Sequence, residues 1–462
     1  MAGTFGSFGV ALSGMRYSQV AMDIANNNLA NVGVDGYVRR RAVGETVATD
    51  SMPALWSRGQ GVGDGVRVAN IQRMSDYFLD VRARGEHGRQ AYLDTLGSVM
   101  DRMESGIGEP GKYGVSAALA DFRASWQNLS NNPGSSAARS QVLASGRGLA
   151  DSLRLQARNL DNEQAEAQQR LAVDLREVNT LAADLADTNR NIADAQLNGI
   201  DPGALLDQRD RLAMSLSELT GGVATQRPDG GFDFSVGGIT LVSGRDAGTL
   251  AAVTGLNPDG TGDGSPLTWS VTLGATTTSV APAGRIGALA EAIDNVIPTY
   301  RAGLNAVAQQ VADDMNAGHQ AGFDQSGTAG GPLFAYDPTN PAGSLSVLIT
   351  DPALVAASGV PGGGLDGSNA SVLATASQVE SAYQRLVSVF GTEVASVHRL
   401  AANQSVLTEQ VDRTRESMAG VSIDEEMVSL MAAQRQFEAA SRVMTTLDSV
   451  LDTLINRTGL VR

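Results

Sequence analysis

The chain has no cysteine. Disulfides, thiolate metal sites and cysteine nucleophiles are therefore excluded together. It has only three histidines, His87, His319 and His398. None is spaced with a second histidine or with the carboxylate pattern of a zinc site. Aromatic residues make up 5% of the chain, which suits helical seams and small β-modules better than one large globular core. Basic residues are outnumbered, 34 Lys and Arg against 50 Asp and Glu, for a net charge of −16. That balance argues against a nucleic-acid partner, which calls for basic surface, and against an anionic membrane surface. No window approaches the ~18 apolar residues of a membrane span, so membrane insertion is not expected. The opening Met-Ala-Gly-Thr-Phe-Gly has no basic region followed by an apolar run. The expectation is a chain without a cleavable signal; any export must use another route.

Catalytic signatures are missing too. There is no G-x-S-x-G elbow, Walker motif or dinucleotide fingerprint. The glycine-rich run from Arg58 to Gly65 lacks the G-x-G-x-x-G spacing and reads as a turn before a short strand, Val66 to Ile71. The run from Asn257 to Gly264 has part of a Ca²⁺-loop pattern, but without flanking helices or a terminal bidentate Glu; it reads as a polar hairpin tip. The carboxylate runs Asp313-Asp314 and Asp424-Glu425-Glu426 read as solvated faces or caps. No cofactor, metal or catalytic residue is expected, and the chain reads as a structural or interaction protein.

What is present is heptad periodicity at both ends. Over 423–455, Leu430, Phe437, Met444 and Leu451 recur every seven residues, and Ala433, Ala440, Leu447 and Leu454 do so three places later. That is an a/d seam over about four heptads, and such a helix needs a partner. Ser422 and Glu425 have capping-box spacing at its start. Near the other terminus Phe8, Met15, Met22 and Leu29 repeat at seven, with Phe5 and Leu12 as a companion row that continues as Gln19 and Asn26. Polar entries in a seam tend to fix register. The two helices are predicted to pair as a terminal coiled-coil domain.

Between them the sequence predicts helices over 74–104, 115–131, 135–197, 204–219, 284–317 and 370–415, with 318–368 irregular apart from a strand over 345–350. Leu171, Val178, Leu185 and Ile192 form a further heptad row. Asp207 and Arg211, spaced i,i+4, are expected to pair. Arg39, Arg40 and Arg41 in an acidic protein read as a solvated face or a contact to an acidic neighbour. At Gly221 the composition turns to Thr, Val and Gly. Phe232, Phe234 and Val236 alternate after a Pro-Asp-Gly-Gly turn signal, and strands are predicted at 239–243, 249–254, 267–273 and 276–280. The predicted fold is mainly α with a small β insert. Its expected divisions are a terminal helical coiled-coil domain (1–50 plus 420–462), a long helical middle domain (51–220 plus 284–419) and an inserted β-domain (221–283).

Several stretches resemble the flagellar axial proteins, and more narrowly the hook-associated protein 1 (FlgK) family. Asn28-Leu29-Ala30-Asn31 followed by Gly36-Tyr37 resembles the N-terminal signature of rod, hook and hook-associated proteins, with Val34 where Thr is common. The narrower resemblance rests on Leu205 to Leu212, including Leu206, Asp207, Arg209 and Asp210, on Met315 to Asp324, on Val347 to Asp351, and on the ending with Gln434 to Phe437. The chain passes quickly from Phe334 to Leu345, so an outer β-domain carried by some members is expected to be missing.

The resemblance implies a non-enzymatic subunit of a tubular layer at the distal end of the bacterial flagellar hook, adapting a flexible hook to a stiff filament. It implies as partners further copies of the chain, the hook protein, the second junction protein (hook-associated protein 3), a FlgN-like export chaperone on the closing helix and the flagellar type III export apparatus, with an extracellular location. The residues it would place in assembly or chaperone binding are Leu430, Phe437, Met444, Leu447, Leu451 and Leu454 at one end, and Phe8, Leu12, Met15, Met22 and Leu29 at the other. A hook or distal-rod protein is the alternative within the superfamily. An enzyme in the β insert is a third reading; the insert's ~60 residues carry no metal or carboxylate constellation to support it.

Overall fold

The computed structural model describes residues 2–34, 36–47, 63–362, 364–375 and 378–454, with side chains from residue 6 onward. Phe5 as a side chain, most of the glycine-rich run at 58–62, and Ile455 lie outside the described residues. Helix α1 (Ala2–Ala30) leads to an antiparallel hairpin, β1 (Arg40–Thr46) and β2 (Val66–Arg73), in which Arg40 faces Arg73. There follow α2 (Tyr77–Ile107), α3 (Val115–Asn131), α4 (Ser136–Leu197) and α5 (Gly203–Thr220). The 62 residues of α4 span about 90 Å at 1.5 Å per residue.

Local chemistry sets the boundaries of these helices. Asp76 caps α2 by accepting from the Phe78 and Leu79 amides at 2.8 and 3.1 Å, which satisfies two of the orphan donors at a helix start. Ser135 does the same for α4 through the Ala138 amide, 3.2 Å away. The α5 helix ends at Gly221, whose φ of 64° is left-handed, as a glycine C-cap requires.

The β insert is two small antiparallel sheets. One is β3 (Val223–Gln226), β4 (Phe232–Val236), β5 (Ile239–Ser243) and β6 (Asp246–Ala247) in order. The other is β7 (Thr249–Thr254), β8 (Thr268–Leu273) and β9 (Thr276–Val280). Phe232, Phe234 and Val236 on β4 are buried, as their alternation requires. Two α4 asparagines seat the insert. Asn189 donates to the Phe232 and Gly244 carbonyls at 2.8 and 2.7 Å and accepts from the Phe232 amide at 2.9 Å. Asn179 exchanges hydrogen bonds with the Leu250 amide and carbonyl at 2.8 and 3.0 Å.

The chain then returns as helix, with three departures from the sequence reading. The span 284–317 is two helices, α6 (Gly284–Glu291) and α7 (Ile297–Gln320), joined by one π-turn, Ala292–Val296. Pro298 lacks the amide that would continue α-type bonding there. The strand predicted over 345–350 is reduced to β11 (Ser346–Val347), paired with β10 (Phe334–Ala335) and preceded by the short α8 (Pro341–Ser344). The helix predicted over 370–415 is α9 (Ser368–Ala374) and α10 (Gln378–Ala419), and α11 (Ile423–Asp452) follows.

The Met315–Asp324 stretch pins the irregular segment. Asn316 accepts from the Leu333 and Phe334 amides at 2.7 and 2.8 Å. His319, fully buried, donates from Nδ1 to the Gly331 carbonyl at 2.6 Å and accepts at Nε2 from the Ala356 amide at 2.9 Å. That arrangement needs a neutral imidazole, and burial lowers its pKa accordingly.

The main core runs along α2, α3, α4, α7 and α10 and continues into the insert. Leu171, Val178, Leu185 and Ile192 are all 0% exposed. Helix α11 lies outside it and packs along α1, more extensively than any other two elements pack.

Candidate functional site

The α1–α11 contact uses the seam read from the closing helix, but a different row of α1. On α11, Ala433 is buried, and Leu430, Phe437, Ala440, Met444, Leu447 and Leu451 are half-buried; Leu454 is exposed. On α1, Leu12, Met15, Met22 and Leu29 are half-buried and Phe8 is exposed. The buried row is Ala11, Ser18 and Ala25, three places after Phe8, Met15 and Met22. Gln19 and Asn26, expected in the seam, are exposed. Small residues explain the rotation, because they allow the helix backbones to approach. An added Cβ on Gly14 would lie 3.9 Å from the Ala440 Cβ.

Register is fixed by a buried polar residue outside that row. Asn28 is 0% exposed and uses its whole side-chain amide. Its Nδ2 donates to the Arg40 carbonyl at 2.9 Å and to Glu426 Oε2 at 3.0 Å. Its Oδ1 accepts from the Tyr37 hydroxyl at 2.8 Å and the Arg40 amide at 3.1 Å. Two donors and two acceptors are the full capacity of the group. Glu426, 4% exposed, completes its own pairing through Arg39 Nε at 2.6 Å. Arg39 also reaches Glu425 at 2.6 Å. The acidic run at the start of α11 is therefore not simply a solvated face, and the capping box does not form. Ser422 makes no side-chain cap bond, and Glu425 is turned to Arg39.

The same segment joins the terminal pair to the bundle. The Arg39 amide donates to the Ala419 carbonyl at the end of α10, 3.0 Å away. Arg40 Nη2 donates to Asp207 Oδ2 at 2.9 Å, and Arg73 Nη2 to Asp207 Oδ1 at 2.6 Å. Like charges opposed across a hairpin repel; the Asp207 carboxylate between Arg40 and Arg73 turns that repulsion into a bridge. Asp207 thus bonds to the hairpin, and the expected Asp207–Arg211 pair does not form. Arg211 is instead packed beside Gly36, where a Cβ would come 2.6 Å from its Cγ. With φ at 75° as well, position 36 requires glycine.

Asp210 accepts from Arg73 at 2.9 Å and from Arg209 at 2.7 Å. Burial alone would raise its pKa, but Arg209 and Arg73 outweigh burial and hold the carboxyl below its ordinary value. Arg209 also lies 3.7 Å over the Phe232 ring of the β insert. Leu206 packs half-buried beside this network. Asn31 acts locally, bonding back to Asn27 at 2.8 Å and closing the end of α1. Of the residues marked from sequence, Asn28, Tyr37 and Asp207 are brought together through Arg40, and Asp207, Arg209 and Asp210 through Arg73. The contact to an acidic neighbour offered for the Arg39–Arg41 run holds for Arg39 and Arg40, but the sequence reading did not place Arg39, Arg40, Arg73 or Glu426 among the site residues. The Arg39–Arg41 run was the available signal.

The arrangement is a mechanical latch. Most of its polar groups pair with one another, Arg40 Nε being left without a hydrogen-bond partner among the described residues, and among the described residues no group of three or more His, Asp or Glu could hold a metal ion. His87 lies between Glu218 and Asp412, and His398 bonds to Asp101 at 2.6 Å. Among the described residues no helix is long and apolar enough to cross a membrane.

Comparison with known proteins agrees with this architecture. The family model described as the flagellar hook-associated protein FlgK helical domain matches residues 100–334, just over half of the chain. The model for the flagellar basal body rod FlgEFG protein C-terminal region matches 415–457. Flagellar hook-associated protein 1 of Bacillus subtilis is 29% identical, over 100% of this chain and 99% of that protein. The protein of the same name from Escherichia coli is 24% identical, over 96% and 98%. The solved flagellar hook junction protein FlgK of Burkholderia pseudomallei superposes with a TM-score of 0.64 at 16% identity, covering 74% of this chain and 100% of that one. The chain belongs to the flagellar hook-associated protein FlgK family.

Proposed function

We propose that this chain is a structural, non-catalytic subunit of the bacterial flagellum that self-assembles at the distal end of the hook and forms the hook–filament junction. The observation that carries the reading beyond family membership is the half-covered seam. Helix α1 shields one side of α11, while Ile423, Met427, Val428, Met431, Val443 and Val450 remain exposed in the single chain. An apolar surface of this kind marks an interaction site.

In this reading residues 1–50 and 420–462 form the unit that packs against neighbouring copies, 51–220 and 284–419 the helical middle domain, and 221–283 the inserted β-domain. The hook protein lies on one side and the second junction protein, hook-associated protein 3, on the other. Before assembly a FlgN-like chaperone covers α11, and the chain leaves the cell through the flagellar type III export apparatus. The match of the rod-protein C-terminal model to 415–457 fits a terminal unit shared among axial proteins. The helical-domain match favours the junction over hook or rod.

Deletion of the gene tests the reading. The expected outcome is cells with complete hooks, no filaments, and flagellin in the medium. Normal filaments on the deletion strain would contradict it.

A further inference from the structure

Where β2, α2, α5 and the β insert meet, a cavity of about 380 Å³ is lined by Arg73, Arg84, Arg209, Asp80, Asp210 and Phe232, among other residues. Most of these charges are already engaged. Asp80 accepts from Arg415 at 2.7 Å, and Asp210 from Arg73 and Arg209. Arg84 differs. It is 4% exposed, its guanidinium stands 5.1 Å over the Phe232 ring, and its Nη2 is enclosed with no hydrogen-bond partner among the described residues. The charged groups that act on Arg84 are the carboxylates Asp210 and Asp80 and the guanidinium groups of Arg209 and Arg415. The lining carries three guanidinium groups against two carboxylates, an excess of one positive charge in a chain of net charge −16. A buried charge without a partner is strongly unfavourable, and a planar guanidinium fork matches the geometry of a phosphate or carboxylate. Burial lowers the Arg84 pKa and Arg209 and Arg415 add to it, against the pull of Asp210 and Asp80.

We infer that this cavity binds an oxyanion against the Arg84 guanidinium. The anion is supplied either as free phosphate or as a carboxylate side chain of a neighbouring subunit. An occupant there would touch the hairpin, the helical bundle and the insert at once and would tie them together.

The test uses the full chain in thermal unfolding, titrated separately with sodium phosphate and sodium acetate while sodium chloride holds the ionic strength constant. The readout is the anion-dependent rise in Tm, so a change in the starting Tm of a variant does not confuse it. A saturable rise is expected for the native chain. It should be retained in Arg413→Met, which removes an exposed cation on α10, weakened in Arg84→Lys, and lost in Arg84→Met, with at least a tenfold weaker apparent Kd. A larger response to phosphate assigns the site to a free anion, and a larger response to acetate to a protein carboxylate. No anion-specific rise with either salt, or an equal rise in Arg84→Met, would overturn the inference.

Discussion

Two heptad rows in this chain have the same spacing and opposite fates. Leu171, Val178, Leu185 and Ile192 on α4 are fully buried within the bundle. Leu430, Phe437, Met444 and Leu451 on α11 are only half-buried against α1. The first row meets helices and a β insert that cover it from several sides; the second meets one helix, and does so through Ala11, Ser18 and Ala25. A heptad row thus records the need for partners without recording how many partners the same chain provides. The bundle row is covered in one molecule, whereas the terminal pair leaves apolar side chains exposed.

The comparison is broken most sharply by matched truncations. Leu185→Ala should cost about 2–5 kcal/mol in the isolated chain, the range for a buried leucine replaced by alanine. Met444→Ala should cost less, about 1–2 kcal/mol, since part of its side chain stays in water. Denaturant unfolding of the two variants measures the difference, and equal losses would erase the distinction between the regions.

The latch is the next largest effect. Asn28→Ala removes partners from the Tyr37 hydroxyl, the Arg40 backbone and the Glu426 carboxylate; water reaches the part-buried ones, so the total loss should be about 1–3 kcal/mol. Limited proteolysis should then cut within 1–47 and 420–454 while the bundle stays resistant. Resistance of the ends equal to that of the unmodified chain would show that the latch does not hold them.

The smallest effect is a pH dependence inside the bundle. His87 Nδ1 lies 3.3 Å from Glu218 and Nε2 3.0 Å from Asp412. A neutral imidazole has one N–H and can satisfy only one of the two. Glu218 and then Asp412 hold its pKa above the ordinary value, with burial acting the other way. A raised folded-state pKa means that the added stability is fully present below about pH 6.5 and is lost as pH rises through the raised value. The change should lie within ~0–1 kcal/mol, the range for partly exposed ion pairs. It should vanish in His87→Gln, as read from unfolding midpoints on either side of that window.

Much of this was legible in the sequence, and the failures have identifiable causes. Large apolar residues at seven-residue spacing placed the α11 seam, and composition with alternation located β5, β7 and β9 at the residues they occupy. On α1 the large residues marked the flank, because alanine and serine at the contact carry little hydrophobic signal. The latch was only partly legible. Asn28, Tyr37 and Asp207 stood out by family resemblance, but the Asn28–Glu426 bond spans 398 residues, and no local pattern encodes such a pairing. Local rules also misled where a distant charge competed. The cap expected of Ser422 and Glu425 yields to Arg39, and the i,i+4 pair expected of Asp207 and Arg211 yields to the Arg40–Arg73 hairpin.

The central claim is that α1 and α11 are incompletely buried in one molecule and are completed by neighbouring copies. Amide hydrogen exchange on the isolated chain and on assembled junctions tests it most directly. In the isolated chain, amides of α11 should exchange through local opening at least tenfold faster than those around Leu171–Ile192 in α4. On assembly the α11 amides should slow to match α4. Equal protection of α11 and α4 in the isolated chain, or no added protection on assembly, would contradict the account.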